Sequence, residues 1–196
     1  IHILGQSNAD NVVPVPNAEQ AGMMSRSQID AAWAVEPWAS RLSSEAGARV
    51  IAEEKDLWPQ KNFTLTLVVV SPEFLRDYPD AVERILQVHI DWTNRLTQEP
   101  AAQISALSQA LESLTSQKLS PEIVSSGINR INFTTEPLDD SLKTFAQWAF
   151  DLKQARSVAN IETLVDTTLL RKVLANQPGK PAAQPLEKIK PQSSNP

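Results

Sequence analysis

Ile29-Asp30-Ala31-Ala32-Trp33-Ala34-Val35-Glu36-Pro37-Trp38-Ala39-Ser40-Arg41-Leu42 changes character at its midpoint. Apart from Asp30, residues 29–35 are apolar, too short a run for a helix and bulky enough for a buried strand. Pro37 then stands where a helix start tolerates a missing N–H, and Trp38 and Leu42 follow with polar residues between them. The run therefore predicts a strand that enters a helix, with the Glu36 carboxylate and the Trp38 indole at the junction. Open α/β sheets bind ligands at such junctions, because helix N–H groups point into the crevice at the strand ends.

Working outward, the flanking segments repeat the alternation. Val12-Val13-Pro14-Val15 predicts a short edge strand, since Pro14 cannot donate to a ladder. Asn17 and Gln20 have the spacing of a capping box, with a short helix to about Arg26. The helix at 37–46 closes at Gly47, and residues 49–52 read as another strand. A polar loop leads into Thr64-Leu65-Thr66-Leu67-Val68-Val69-Val70, a β-branched run that predicts a central strand. This rhythm is that of a doubly wound α/β sheet. Beyond residue 71 the pattern turns helical. Ser71-Pro72-Glu73 and Ser120-Pro121-Glu122 both read as a capping serine followed by proline and a first-turn acid. Three apolar stripes follow at helical spacing: Val82 to Leu96, Ile104 to Leu114, and Leu138 to Leu152. Ile131-Asn132-Phe133 is a short extended piece among them.

The chain has 196 residues, enough for one domain or for one domain and part of another. Its net charge of −5, with no basic stripe to release phosphate counterions, argues against a nucleic-acid surface. It has no cysteine, hence neither disulfide nor thiolate metal site. No stretch approaches the length of an apolar membrane span. His2-Ile3-Leu4-Gly5 reads as the last turn of a helix with a glycine cap, and the chain as a C-terminal fragment or an incompletely sequenced product. Residues 176–196 hold five of the fourteen prolines and few apolar groups, too little buried surface to offset ordering entropy, and read as a disordered tail.

The opening run, IDAAWAVEPWASRL, resembles the IDGAWVPEPWASRL signature of solute-binding proteins that serve ABC importers of aliphatic sulfonates, nitrate and taurine. The resemblance continues through Asp56-Leu57-Trp58-Pro59, Phe63, Thr66 and the apolar run after it, Phe74-Leu75 with Tyr78-Pro79-Asp80, and residues 119–149, covering about 11–175. Leu65 replaces the first threonine of a usual pair, and Val35 stands where many members carry proline. The resemblance implies a periplasmic-binding-protein-like type II fold: two α/β lobes joined by a hinge, with the ligand clamped between them. Residues 1–63 would be part of the second lobe. Residues 64–175 would be the return crossing strand and the C-terminal helices that complete the first lobe. The remainder of the cleft would lie outside this chain.

The candidate ligand-binding residues are Glu36, Trp38, Thr64 and Thr66. Glu36 would accept a hydrogen bond or order a cationic group, and Trp38 would wall the cleft. The structural alternative makes Glu36 a first-turn carboxylate on the helix dipole and Trp38 a core residue. Thr64 and Thr66 fall on one face of the expected strand, where either hydroxyl could donate to an oxyanion; threonine is also a common strand residue. A carboxylate repels a sulfonate, so an anionic ligand needs compensating donors from elsewhere. Trp58 and His89 read as packing residues. Asn62-Phe63-Thr64 and Asn132-Phe133-Thr134 match the glycosylation sequon but are discounted, since the resembling family is bacterial. There is no catalytic triad, phosphate loop or metal-spaced cluster, so no catalytic residue, metal or cofactor is assigned.

These readings point to a binding protein, not an enzyme: a monomer that captures a small anion by lobe closure and docks on the transmembrane subunits of an ABC permease. It would work in the periplasm or outside the cell, with a lipid anchor as one means of retention. The alternatives are an enzyme on the same fold, of the thiamine-pyrimidine-synthesis type, or the effector-binding domain of a transcriptional regulator.

Overall fold

The structure, a computed structural model, describes residues 12–176. The glycine-capped helix end expected at residues 2–5 and the tail from 177 onward lie outside the described residues. The helices are α1 (Asn17–Ser25), α2 (Trp38–Ala46), α3 (Pro72–Asp77), α4 (Pro79–Gln98), α5 (Pro100–Thr115), α6 (Pro121–Ile128), α7 (Asp139–Asp151), α8 (Ile161–Leu164) and α9 (Thr168–Ala175), with a 3-10 turn at Glu54–Leu57.

The helix boundaries follow local chemistry. Ser71 Oγ accepts from the N–H of Phe74 at 3.1 Å, and Ser120 Oγ from that of Ile123 at 3.3 Å. Each serine thereby satisfies an orphan donor of a proline-started helix. At the far end of α2, Gly47 sits at φ 66°, the left-handed cap that a side chain would strain. At α1 the expected capping box takes another form. No side chain caps the backbone, and Gln20 Nε2 instead donates to Asn17 Oδ1 at 3.2 Å.

The main core joins α2, α5 and α6. Trp38, Leu119, Ile123, Val124 and Ile128 are buried together, with Val35, Ile104, Leu107, Leu111 and Phe133 packed around them. A second cluster centres on Trp58, only 3% exposed, whose ring meets Phe63, Phe145 and Trp148 at centroid distances of 5.2, 4.5 and 4.8 Å. Trp58 is thus a packing residue under its loop. α4 lies against α5 and α9, with Val82 and Ile90 on its buried side and an ion pair between Glu83 and Lys172.

The expected α/β sheet is not present among the described residues. Among the described residues there is no strand, so the two-lobed type II architecture expected for this chain is overturned in favour of a helical one. The runs at 12–15, 29–35, 49–52, 64–70 and 131–133 are non-helical, as their composition suggests, but none forms a ladder. Among the described residues, no backbone–backbone hydrogen bond engages 64–70. Composition favours a strand only where a neighbour 4.7–4.9 Å away supplies hydrogen bonds and cross-strand contacts. Without that neighbour, Ile51 is 90% exposed and Val69 81% exposed, where a central strand would bury both.

Candidate functional site

The site is built around the start of α2. Trp38 opens that helix and Glu36 precedes it, so the Glu36 carboxylate lies beside N–H groups that have no intrahelical partner. Glu36 Oε2 accepts from the backbone N–H of Ser40 at 3.1 Å. This is the first-turn role that the sequence offered as one reading of Glu36. The other oxygen meets a residue that sequence reasoning missed. Arg130, in the turn after α6, places Nε 2.9 Å from Glu36 Oε1. The contact is ionic and too oblique for a well-aligned hydrogen bond, and Coulomb attraction tolerates that angle.

Arg130 also reaches outward. Its Nη2 donates to Glu53 Oε1 at 2.6 Å, so one guanidinium bridges two carboxylates. The three side chains grade from inside to outside: Glu36 is 9% exposed, Arg130 33% and Glu53 38%. Next along the chain, Glu54 Oε2 accepts from the half-exposed Trp33 indole at 3.1 Å.

Two further features bring α6 against the Glu36–Pro37 peptide. Ser40 Oγ and Ser126 Oγ are 3.2 Å apart across the interface. At Gly127 a Cβ would stand 3.1 Å from Pro37 Cα and 3.3 Å from Glu36 Oε2, so glycine allows an approach that any side chain would push apart by a few tenths of an ångström. Arg41, one turn along α2, is held by Glu45, the Ala18 carbonyl and Gln117 at 2.7, 3.2 and 3.1 Å, and lies over the Trp38 ring.

The other candidates lie apart from this arrangement. Trp38 is buried in the main core, where the structural alternative put it. Thr64 is tied to the start of α7: its hydroxyl donates to the Pro137 carbonyl at 2.6 Å, and its N–H donates to Ser141 Oγ at 3.0 Å. Thr66 is exposed. His89 is half-buried on α4. A shallow groove of about 220 Å3 runs between the α4–α5 corner and residues 128–133, with Asn129 and Asn132 at its edge. Among the described residues no three metal-ligating side chains cluster, and no helix is long and apolar enough to cross a membrane.

One signal in the sequence bore on Arg130. It is the sole Lys or Arg between Leu119 and Leu138, set in a stretch that otherwise packs or turns. Nothing in the local pattern, however, names Glu36 as its partner.

The family model described as the NMT1-like family matches residues 6–111, which is more than half of the 196 residues and includes Glu36, Trp38, Glu53, Thr64 and Thr66. No curated protein and no solved structure matches the chain.

Proposed function

The chain belongs to the NMT1-like family, whose members are solute-binding proteins, and from that premise we propose that it captures a small oxyanion for an ABC importer. The solutes are an aliphatic sulfonate, nitrate or taurine, and the partners are the transmembrane subunits of a permease. The protein works as a monomer in the periplasm or outside the cell, held there by a lipid anchor if it is tethered at all. It binds without covalent chemistry.

The observation that carries this reading is the match over residues 6–111, within which the Glu36-Pro37-Trp38 junction lies. The geometry adds support of a specific kind. A solute site for an anion needs a positive group beside the Glu36 carboxylate, and Arg130 supplies one within the same chain. Isothermal titration of the intact protein with ethanesulfonate, nitrate and taurine tests the proposal. Saturable binding of at least one solute in the micromolar range is expected. Binding of none of the three, with the protein folded, would overturn it.

A further inference from the structure

We propose that Arg130 is the oxyanion-recognising residue of the solute site, and that Glu53 is a built-in competitor displaced when the solute binds. The inference rests on the oxyanion-binding reading above and assigns the residues that carry out the recognition.

A guanidinium offers five N–H donors in a rigid fork that fits two oxygens of one oxyanion, as in a carboxylate, nitrate or sulfonate. Arg130 spends only part of that capacity: Nε faces Glu36 and Nη2 faces Glu53, while Nη1 has no partner among the described residues. The Nη edge is the part that can receive a solute. Arg41 is also held in place, with Nε on a carboxylate and Nη1 shared between a carbonyl and a carboxamide, and its side chain is 16% exposed against 33% for Arg130, so it is the less accessible of the two.

The two carboxylates on Arg130 play unequal parts. Glu36 is nine-tenths buried and further held by the Ser40 N–H, so its charge keeps the guanidinium at this position before any solute arrives. Glu53 is more than a third exposed, and exposed ion pairs hold weakly. It also ends the segment 48–53, which no ladder among the described residues secures and in which Ile51 stands almost fully in solvent. Moving Glu53 aside therefore disturbs little packing.

Charge decides between displacement and simple addition. Arg130 carries one positive charge against two carboxylates, and Glu54 follows directly in the chain. A third anion added to this set would face uncompensated repulsion, whereas exchange for Glu53 leaves the number of paired charges unchanged. The solute thus takes the place of a surface carboxylate, and Glu53 sets a threshold that weak oxyanion ligands do not pass.

Titration calorimetry of the intact wild-type protein, Glu53→Gln and Arg130→Gln with ethanesulfonate and sodium nitrate tests this. Removing the competitor in Glu53→Gln should tighten binding about 2- to 5-fold, the range set by an exposed ion pair. Arg130→Gln should weaken it about 10-fold or more, the loss expected for charge-assisted hydrogen bonds. If Arg130→Gln does not fold, Glu53→Gln decides alone, because a purely structural bridge gives no reason for tighter binding. Wild-type binding with Glu53→Gln no tighter overturns this inference and leaves the solute-binding function standing. Absence of wild-type binding to ethanesulfonate, nitrate and also taurine, titrated alongside them, overturns that function, and this inference with it.

Discussion

The interface of α2 with α6 and the extended run at 64–70 are similarly rich in apolar side chains, yet one is buried and the other faces solvent. The helices satisfy their own backbone groups, so once Trp38, Ile123, Val124 and Ile128 find one another nothing else is required. Among the described residues, the run Leu65 to Val70 has no backbone partner for its N–H and C=O groups, and no neighbouring strand meets it. Apolar composition alone therefore does not place a segment inside. A segment is buried when its polar backbone can be satisfied there as well.

Substitutions in the two regions should separate by severalfold in stability. Trp38→Ala removes the largest side chain of the main core and should cost about 3–5 kcal/mol, read as a lowered denaturant midpoint at unchanged slope. An effect below 1 kcal/mol would mean that the α2–α6 interface is not the principal core. Gly127→Ala forces a methyl group to within 3.1 Å of Pro37 and should cost about 1–3 kcal/mol by overpacking. Val69→Ser, in the exposed run, should stay within about 0.5 kcal/mol of wild type. A large loss there would show that residues 64–70 are covered in solution and would break the contrast between the two regions.

The smallest effect concerns a helix cap. The Ser120 hydroxyl and, to a lesser degree, Glu122's own backbone N–H hold the Glu122 carboxyl below its ordinary value. A carboxyl depressed on folding stabilises the fold above its unfolded value and loses that contribution as pH falls through the folded one. Ser120→Ala should shift the Glu122 titration upward, followed by carbon-13 NMR of its carboxyl. An unmoved titration would assign the depression to the backbone alone.

What the sequence made legible was local. Ser71, Ser120 and Gly47 mark their helix ends because each cap is settled by residues within one turn. The helix start beside Glu36 was readable from Pro37 for the same reason. The sheet was misread because strand composition says nothing about whether a partner strand lies alongside. The stripe on α4 was right in period and only partly right in face: Val82 is buried, Ile85 is exposed, and Ile90, outside the stripe, is buried. The Glu36–Arg130 pair joins residues 94 positions apart, and charge patterning in the sequence does not extend that far. Thr64 read as a hydroxyl free for an oxyanion, while its actual partners, Pro137 and Ser141, lie more than seventy residues away.

The claim that the Arg130 fork holds the solute is tested most directly by observing that guanidinium itself. Side-chain nitrogen NMR of the intact protein, titrated with sodium nitrate and with ethanesulfonate, follows the Arg130 Nε–H signal. A saturable shift of that signal is expected, with the same midpoint as calorimetric binding and a concurrent change at the Glu53 carboxyl. Saturable binding that leaves both signals unmoved would contradict it.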